Sequence, residues 1–387
     1  MAEDPSTQLP PLNLPTGLTE RYITSEASEL TYHIIEAGSR RKPLLILLHG
    51  FPEIAYSWRK IMPRLGRDYR VVAVDQRGYG RTTGWDYSSF GEVDLRTFSV
   101  TNLIRDIVVL VHALGYHQVH CVVGHDFGAV AASLCALARP DFFHRVVLMS
   151  HPFKGSSKLP FDVENPKDST QGSQPDIHQE LAALSEPRKH YKWYYSTAPA
   201  NAEMSPPDGL HEFLRGYFHL KSADWAGNDP HPLQAWSATE LAKMPYYYIM
   251  PLKAGMRQAV AKDMSHEDHQ QVHNSSSRWL PDSELEVYVN EWARTGFQGG
   301  LNWYRVQTDP KWLKDADLFA GKTIEVPCLF ISGTKDWGIY QEPGVVERMA
   351  DVCKDFRGVK MIEGAGHWVQ QEQPERVVEE ILDFLRS

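Results

Sequence analysis

The sequence predicts an α/β architecture: a mostly parallel sheet, covered by helices on both faces, interrupted by a long helical insertion. Three observations carry this. From about Leu30 to Ser150, short runs rich in Val, Ile and Leu alternate with amphipathic helical stretches. From Pro152 to about Leu301 that rhythm gives way to a stretch with little β character, heavy in Trp, Tyr, His and Pro. It then resumes with Val326–Gly333 and continues to the C-terminus. Alternating strand and helix imply parallel strands with helices on both faces.

The individual elements follow from the same pattern. Pro43–His49, Tyr69–Asp75, His120–Gly124 and Arg145–His151 are apolar runs ending in Gly or polar residues, as strands buried on both faces do. Thr101–Leu114 places Leu103, Ile104, Ile107, Val108, Val111 and Leu114 on one helical face, with Gly115 as C-cap. Val130–Ala138 is an Ala-rich helix, and Lys154–Gln179 reads as a long polar surface loop. In Asp282–Trp292, Asp282 is placed as a cap before the stripe Leu285, Tyr288, Val289 and Trp292. Val359–Glu363 is a further strand, and the chain closes on a helix carrying Val377, Val378, Ile381, Leu382 and Leu385. There is no internal repeat. The expected division is a first core part over 1–152 (with 1–20 an extension), a helical lid over 153–310 and a second core part over 311–387.

Bulk properties narrow the class. A chain of 387 residues, 42% hydrophobic, can bury a large core. A formal charge of −9 argues against a basic field built to grip nucleic acid or anionic lipid. The four cysteines, Cys121, Cys135, Cys328 and Cys353, show no metal or disulfide spacing and read as reduced core residues. Met1–Pro15 is acidic and Pro-rich without an apolar h-region, and no apolar run reaches membrane-helix length. A soluble, cytoplasmic protein is the expectation.

The chemistry centres on Gly124-His125-Asp126-Phe127-Gly128, lying between a strand and a helix. This is a G-x-nucleophile-x-G elbow with Asp where hydrolases usually carry Ser. The glycines let a sharp turn pack against sheet and helix, and the helix N-terminus favours an anion there. His125 adjoins Asp126 too closely in sequence to face it and is read as packing. The remaining partners should follow in the order acid, then base. Asp336 ends the strand Phe330–Asp336, and His367 sits in the loop Glu363-Gly364-Ala365-Gly366-His367-Trp368. Leu48-His49-Gly50-Phe51-Pro52 supplies an oxyanion loop, with the backbone N–H groups of Phe51 and Phe127 as donors.

The strings His49-Gly50-Phe51-Pro52-Glu53, Tyr56-Ser57-Trp58-Arg59, Asp75-Gln76-Arg77-Gly78-Tyr79-Gly80, Leu301-Asn302-Trp303-Tyr304-Arg305 and Gly366-His367-Trp368 join the elbow in one resemblance. From about residue 25 to the C-terminus the chain resembles the soluble epoxide hydrolase family. The resemblance implies the α/β-hydrolase fold, a mostly parallel eight-stranded sheet with an inserted helical lid, and hydrolysis of an epoxide to a vicinal diol without cofactor or metal. It implies two lid tyrosines over the nucleophile: Tyr304, and a second within Tyr191-Lys192-Trp193-Tyr194-Tyr195. There Tyr194 best fits the pattern, with Tyr191 and Tyr195 left open. It also implies substrate-facing roles for Trp58, Trp193 and Trp368. The expected partners are a small-molecule epoxide and water, with a homodimer left open.

A carboxylate nucleophile itself points to such targets. Attack on a carbonyl would give a labile anhydride, whereas a strained epoxide or a haloalkane gives an alkyl ester that water, activated by His367, can cleave. Epoxide opening needs a proton donor, and tyrosine stays protonated at neutral pH. Halide leaves as a stable anion and needs only N–H donors such as the indole that commonly follows a dehalogenase nucleophile, where this chain has Phe127. Dehalogenation of haloalkanes or haloacids and a non-catalytic ligand-binding protein are the rivals. His266, His269 and His273 lie at helical spacing in a polar stretch and read as a solvated face. Asp75 and Arg77 read as structural, Gly78 and Gly80 lack phosphate-cradle spacing, and Met244–Met256 reads as lid core bordering the substrate pocket.

Overall fold

The most apolar strands lie in the middle of the sheet. In the computed structural model, which describes residues 9–157 and 176–387, ten strands appear: β1 (Thr19–Ser25), β2 (Leu30–Ala37), β3 (Leu44–Leu48), β4 (Arg70–Val74), β5 (Cys121–His125), β6 (Val146–Met149), β7 (Arg188–His190), β8 (Ile249–Pro251), β9 (Cys328–Gly333) and β10 (Phe356–Ile362). Eight of them form one sheet in the order β1-β2-β4-β3-β5-β6-β9-β10. Every residue of β3, β4, β5, β6 and β9 is buried, because helices cover both faces. The edge strand β10 exposes Val359 and Met361. All pairings from β4 to β10 are parallel, while β2 runs antiparallel to both β1 and β4. The hairpin β1–β2 was not among the sequence-predicted elements; Thr19–Ser25 is too polar to stand out as a strand.

The helices Val100–Ala113, Phe127–Ala138 and Pro374–Arg386 pack their apolar faces on this sheet. Between β6 and β9 the described chain is helical apart from the small β7–β8 ribbon. The expected loop Lys154–Gln179 lies largely outside the described residues, as do residues 1–8 of the N-terminal stretch. Asp282 is not the cap of its helix. It is the first helical residue, after Pro281, and its carboxylate instead takes Arg215 Nη2 at 2.7 Å and His273 Nε2 at 2.9 Å. His266 lies outside the helix His269–Ser276, and the described residues contain no cluster suited to a metal ion. All four cysteines are buried and free. No described helix is long and apolar enough to cross a membrane.

The helical segment is clamped to the sheet end that carries the site. Trp292 Nε1 donates to Pro52 O at 2.8 Å and Trp303 Nε1 to Arg77 O at 2.9 Å. Arg81 reaches Glu291 at 2.8 Å, and Arg77 grips Asp106 through two bonds of 2.7 and 2.8 Å. Gly78 explains itself here: a side-chain carbon on Gly299 would lie 2.1 Å from Gly78 O, so paired glycines let the helix Gln298–Thr308 touch the turn after β4. Asp75 ties the neighbouring loops, accepting from Ala55 N–H at 2.7 Å and Arg81 N–H at 2.9 Å while facing His33 at 2.7 Å.

Candidate active site

The elbow forms where β5 runs into the helix Phe127–Ala138. Asp126 adopts φ 53°, ψ −117°, a conformation that costs a non-glycine residue about 1–3 kcal/mol. The surrounding backbone leaves room for nothing else. A side-chain carbon on Gly124 would sit 2.0 Å from Gly128 O, and one on Gly128 would sit 2.0 Å from Leu48 O. Asp126 sits at the N-cap position but its side chain caps nothing. Its Oδ1 accepts from Phe51 N–H at 3.0 Å. Phe127 N–H, the first of the helix, is outside the helical ladder.

Asp336 and His367 lie beyond the C-terminal ends of β9 and β10 and meet Asp126 from the side. His367 Nδ1 faces Asp336 Oδ1 at 3.1 Å, and its Nε2 points toward Asp126 Oδ2 at 3.7 Å with no protein hydrogen bond. Asp336 is held by Gly338 N–H at 2.6 Å and Ser332 Oγ at 3.2 Å. The His367 loop is pinned on both sides. His367 N–H donates to Lys221 O at 2.8 Å, and its carbonyl accepts from His125 Nε2 at 2.7 Å and Ser150 Oγ at 3.2 Å. Glu372 accepts the N–H groups of Gly366 and Trp368, each at 3.0 Å, and of Ala223 at 2.8 Å. His125 is anchored in turn by Glu53 at 2.6 Å, which also accepts from Gln370 and Gln371.

Electrostatics set the charge states of Asp126 and His367. Burial works to raise the Asp126 carboxyl, but the charges of His367, Lys221 and His125 and the Phe51 N–H outweigh it and hold it at about 2. Burial and the Lys221 charge push His367 below its ordinary value, against the pull of Asp336. At neutral pH the pair is therefore carboxylate and neutral imidazole. Lys221 is buried in an aromatic cage, its Nζ 4.7 Å from the Tyr248 ring centroid, 5.1 Å from Tyr217 and 5.5 Å from Trp368.

Asp126 opens into a narrow throat lined by Phe127, His151, Tyr191, Lys192, Tyr304 and Gln307. His151, Lys192 and Gln307 also line a wider vestibule of about 650 Å³, which Trp193 borders. Tyr304, on the helix Gln298–Thr308, packs edge-on against Phe127 with ring centroids 4.5 Å apart. Its hydroxyl has no hydrogen-bond partner among the described residues, and that of Tyr191 has Gln341 as polar neighbour. Burial, then neighbouring tyrosines and Asp126, push both phenols well above their ordinary value, so both stay protonated.

Three of the expected residues stand elsewhere. Tyr194 lines neither cavity; its hydroxyl donates to Glu203 Oε2 at 2.6 Å and its ring lies under Lys189, so the throat hydroxyl of this helix is that of Tyr191. Trp58 is fully buried and borders neither cavity. Trp368 forms the wall behind the base: its indole donates to Phe218 O at 2.8 Å and its ring lies 4.7 Å from that of His367. Tyr246, Tyr247 and Tyr248 also stay out of both cavities. Sequence reading passed over Tyr191 as first choice and missed Glu53, Lys192, Lys221 and Glu372 as parts of the site. Glu53 and Lys192 carried a signal only as members of the strings His49–Glu53 and Tyr191–Tyr195.

Comparison with known proteins bears on family and fold. The alpha/beta hydrolase fold pattern matches residues 43–374. Epoxide hydrolase B of Mycobacterium tuberculosis is 33% identical over 356 residues, 89% of this chain and 91% of that protein. The crystal structure of epoxide hydrolase A from Mycobacterium thermoresistibile superposes with a TM-score of 0.70 at 30% identity, covering 96% of this chain and 98% of that one. Potato (Solanum tuberosum) epoxide hydrolase I gives 0.68 at 29% identity, covering 95% and 99%.

Proposed function

Since this chain belongs to the epoxide hydrolase family of the α/β-hydrolase fold, we propose that it turns epoxides into vicinal diols through an alkyl ester on Asp126. Asp126 Oδ2, the oxygen not engaged by Phe51 N–H, attacks a ring carbon from the side opposite the C–O bond that breaks. Tyr191 and Tyr304 hold the epoxide oxygen, and one of them gives its proton as the alkoxide forms. His367 then takes a proton from a water whose oxygen attacks the Asp126 carbonyl carbon. The Phe51 and Phe127 N–H groups stabilise the tetrahedral oxyanion. Collapse releases the diol and frees the carboxylate, and the proton on His367 returns to the tyrosinate. Asp336 orients His367 and stabilises its cation.

The observation that carries this reading is the throat itself, in which a carboxylate at the elbow shares one cavity with two phenols and no tryptophan. Halide release would call for N–H donors there. The indoles of Trp292, Trp303 and Trp368 are spent on backbone carbonyls. In this reading the segment 153–310 acts as the lid, since it supplies both phenols, while 1–152 and 311–387 supply the floor.

The test sets Asp126→Asn beside the wild-type protein on a panel of aryl and alkyl epoxides and matched haloalkanes, with diol and free halide measured. Diol without halide in the wild type, lowered at least roughly 10⁴-fold in the variant, is the expected result. Halide without diol would reassign the reaction, and a variant near the wild-type rate would remove Asp126 from it.

A further inference from the structure

The throat contains one cation that the reaction scheme leaves unused. Lys192 follows Tyr191 directly and lines both the throat over Asp126 and the vestibule. Its ammonium makes no hydrogen bond or ion pair among the described residues. Such a group, held half-buried on a substrate path, is either a cost to the fold or a binding element.

The charges around it favour the second. Burial and the charge of Lys154 lower the Lys192 amine to about 8, against the pull of Asp126 and Glu342, so it remains cationic at neutral pH. His151, which lines the same throat, is driven down to about 4 by burial and by Lys192, and is neutral there; burial does the same to His190. The vestibule carboxylates are engaged elsewhere. Glu342 faces Lys154 at 3.6 Å and Arg348 at 3.0 Å, and Glu180 accepts from Ala238 N–H at 3.4 Å. Asp126 itself is turned to Phe51 and His367. Among the described residues, the positive charge at the throat therefore faces the substrate path without an ion pair of its own.

Resting on the epoxide reading above, we propose that Lys192 selects epoxides that carry a carboxylate a few bonds from the ring, pairing with that anion while the ring lies between Asp126 and the two phenols. The anion would receive a charge-assisted hydrogen bond in a partly desolvated channel, where such bonds are strongest. Neutral epoxides can still enter, but forgo that contact.

The experiment measures kcat/KM for 3,4-epoxybutanoate, 4,5-epoxypentanoate and 5,6-epoxyhexanoate, each beside its methyl amide, with benzyl glycidyl ether as neutral reference. At one chain length the acid should exceed its amide by about tenfold or more in the wild type, mainly through KM. In Lys192→Gln that ratio should fall to about one, and in Lys192→Glu it should invert. Taking the ratio within each protein cancels any general loss of activity in the variant. Hexanoate should also inhibit the wild type more strongly than hexanamide, which needs no variant. A ratio at or below one for every pair, or one that survives in Lys192→Gln, would overturn the assignment while leaving the epoxide reading standing. No diol from any acid, any amide or benzyl glycidyl ether would overturn that reading, and this inference with it.

Discussion

The floor and the roof of the site are built on different principles. The floor, formed by Asp126, Asp336 and His367 at three strand ends, is anchored through the backbone. Phe51 N–H holds one oxygen of Asp126, Gly338 N–H holds Asp336, and the His367 loop is tied by Lys221, His125, Ser150 and Glu372. In the roof, formed by Tyr191, Lys192 and Tyr304, the helices are tied down by hydrogen bonds, but the two phenol rings are positioned by aromatic packing. Tyr304 lies against Phe51, Phe127, Tyr191 and Tyr195 with ring centroids 4.5–5.9 Å apart, and its polar tip is left unpaired. On the proposed mechanism the floor carries a covalent intermediate, which needs fixed geometry. A roof that receives different substrates gains from polar tips that only the substrate satisfies.

Variants can break or sharpen that contrast. The largest effect is expected at the roof phenols: Tyr191→Phe and Tyr304→Phe should each lower kcat for an alkyl epoxide by roughly 10²-fold or more, read by steady-state diol formation. Tyr194→Phe, with its hydroxyl on Glu203, should stay within about threefold, a range expected of groups remote from the reacting atoms. Equal losses at all three positions would erase the distinction drawn between Tyr191 and Tyr194.

A floor variant should act on stability more than on chemistry. Glu53 is fully buried, and its carboxylate serves His125, Gln370 and Gln371 at once. Glu53→Gln, which strips a buried imidazole of its charged partner, should cost about 3 kcal/mol of unfolding free energy in urea titration, with activity of the folded fraction reduced less than in the tyrosine variants. A kcat loss matching theirs without destabilisation would place Glu53 in the chemistry instead.

The smallest effect is a shift of profile. The Lys221 charge holds down both Asp126 and His367. Lys221→Met removes a cation that opposes protonation of His367, so the imidazole should protonate at higher pH. Ester hydrolysis needs the neutral imidazole, and the acid limb of the kcat–pH profile should therefore move to higher pH. Asp126 would also rise, but from about 2, and it should remain ionised where activity is measured. An unmoved or lowered acid limb would remove Lys221 from the electrostatics of the base.

The same contrast explains what the sequence could reveal. The floor was legible because backbone geometry restricts it: Gly124 and Gly128 admit no side chain, and each functional group follows an apolar run. Six strands of the sheet were legible for the same reason; the hairpin β1–β2 was not, since the polar residues of β1 hide it. The roof was not. In Tyr191–Tyr195 three phenols occupy one short helix, and spacing alone cannot say which turns to Asp126; Glu203, nine residues on in the next helix, captures Tyr194. Trp58 and Trp368 fall in the matching strings, yet packing commits them to the core and to the wall behind His367. Lys192 and Lys221 look like ordinary lysines until the fold buries them.

The central claim is that the floor forms a covalent ester on Asp126 and hydrolyses it with His367. The direct measurement is intact-protein and peptide mass spectrometry of His367→Gln after incubation with an epoxide that the wild type hydrolyses. The account predicts a protein heavier by the mass of one epoxide, with the addition mapped to Asp126. An unmodified variant that nevertheless releases diol, or an adduct on another residue, would contradict it.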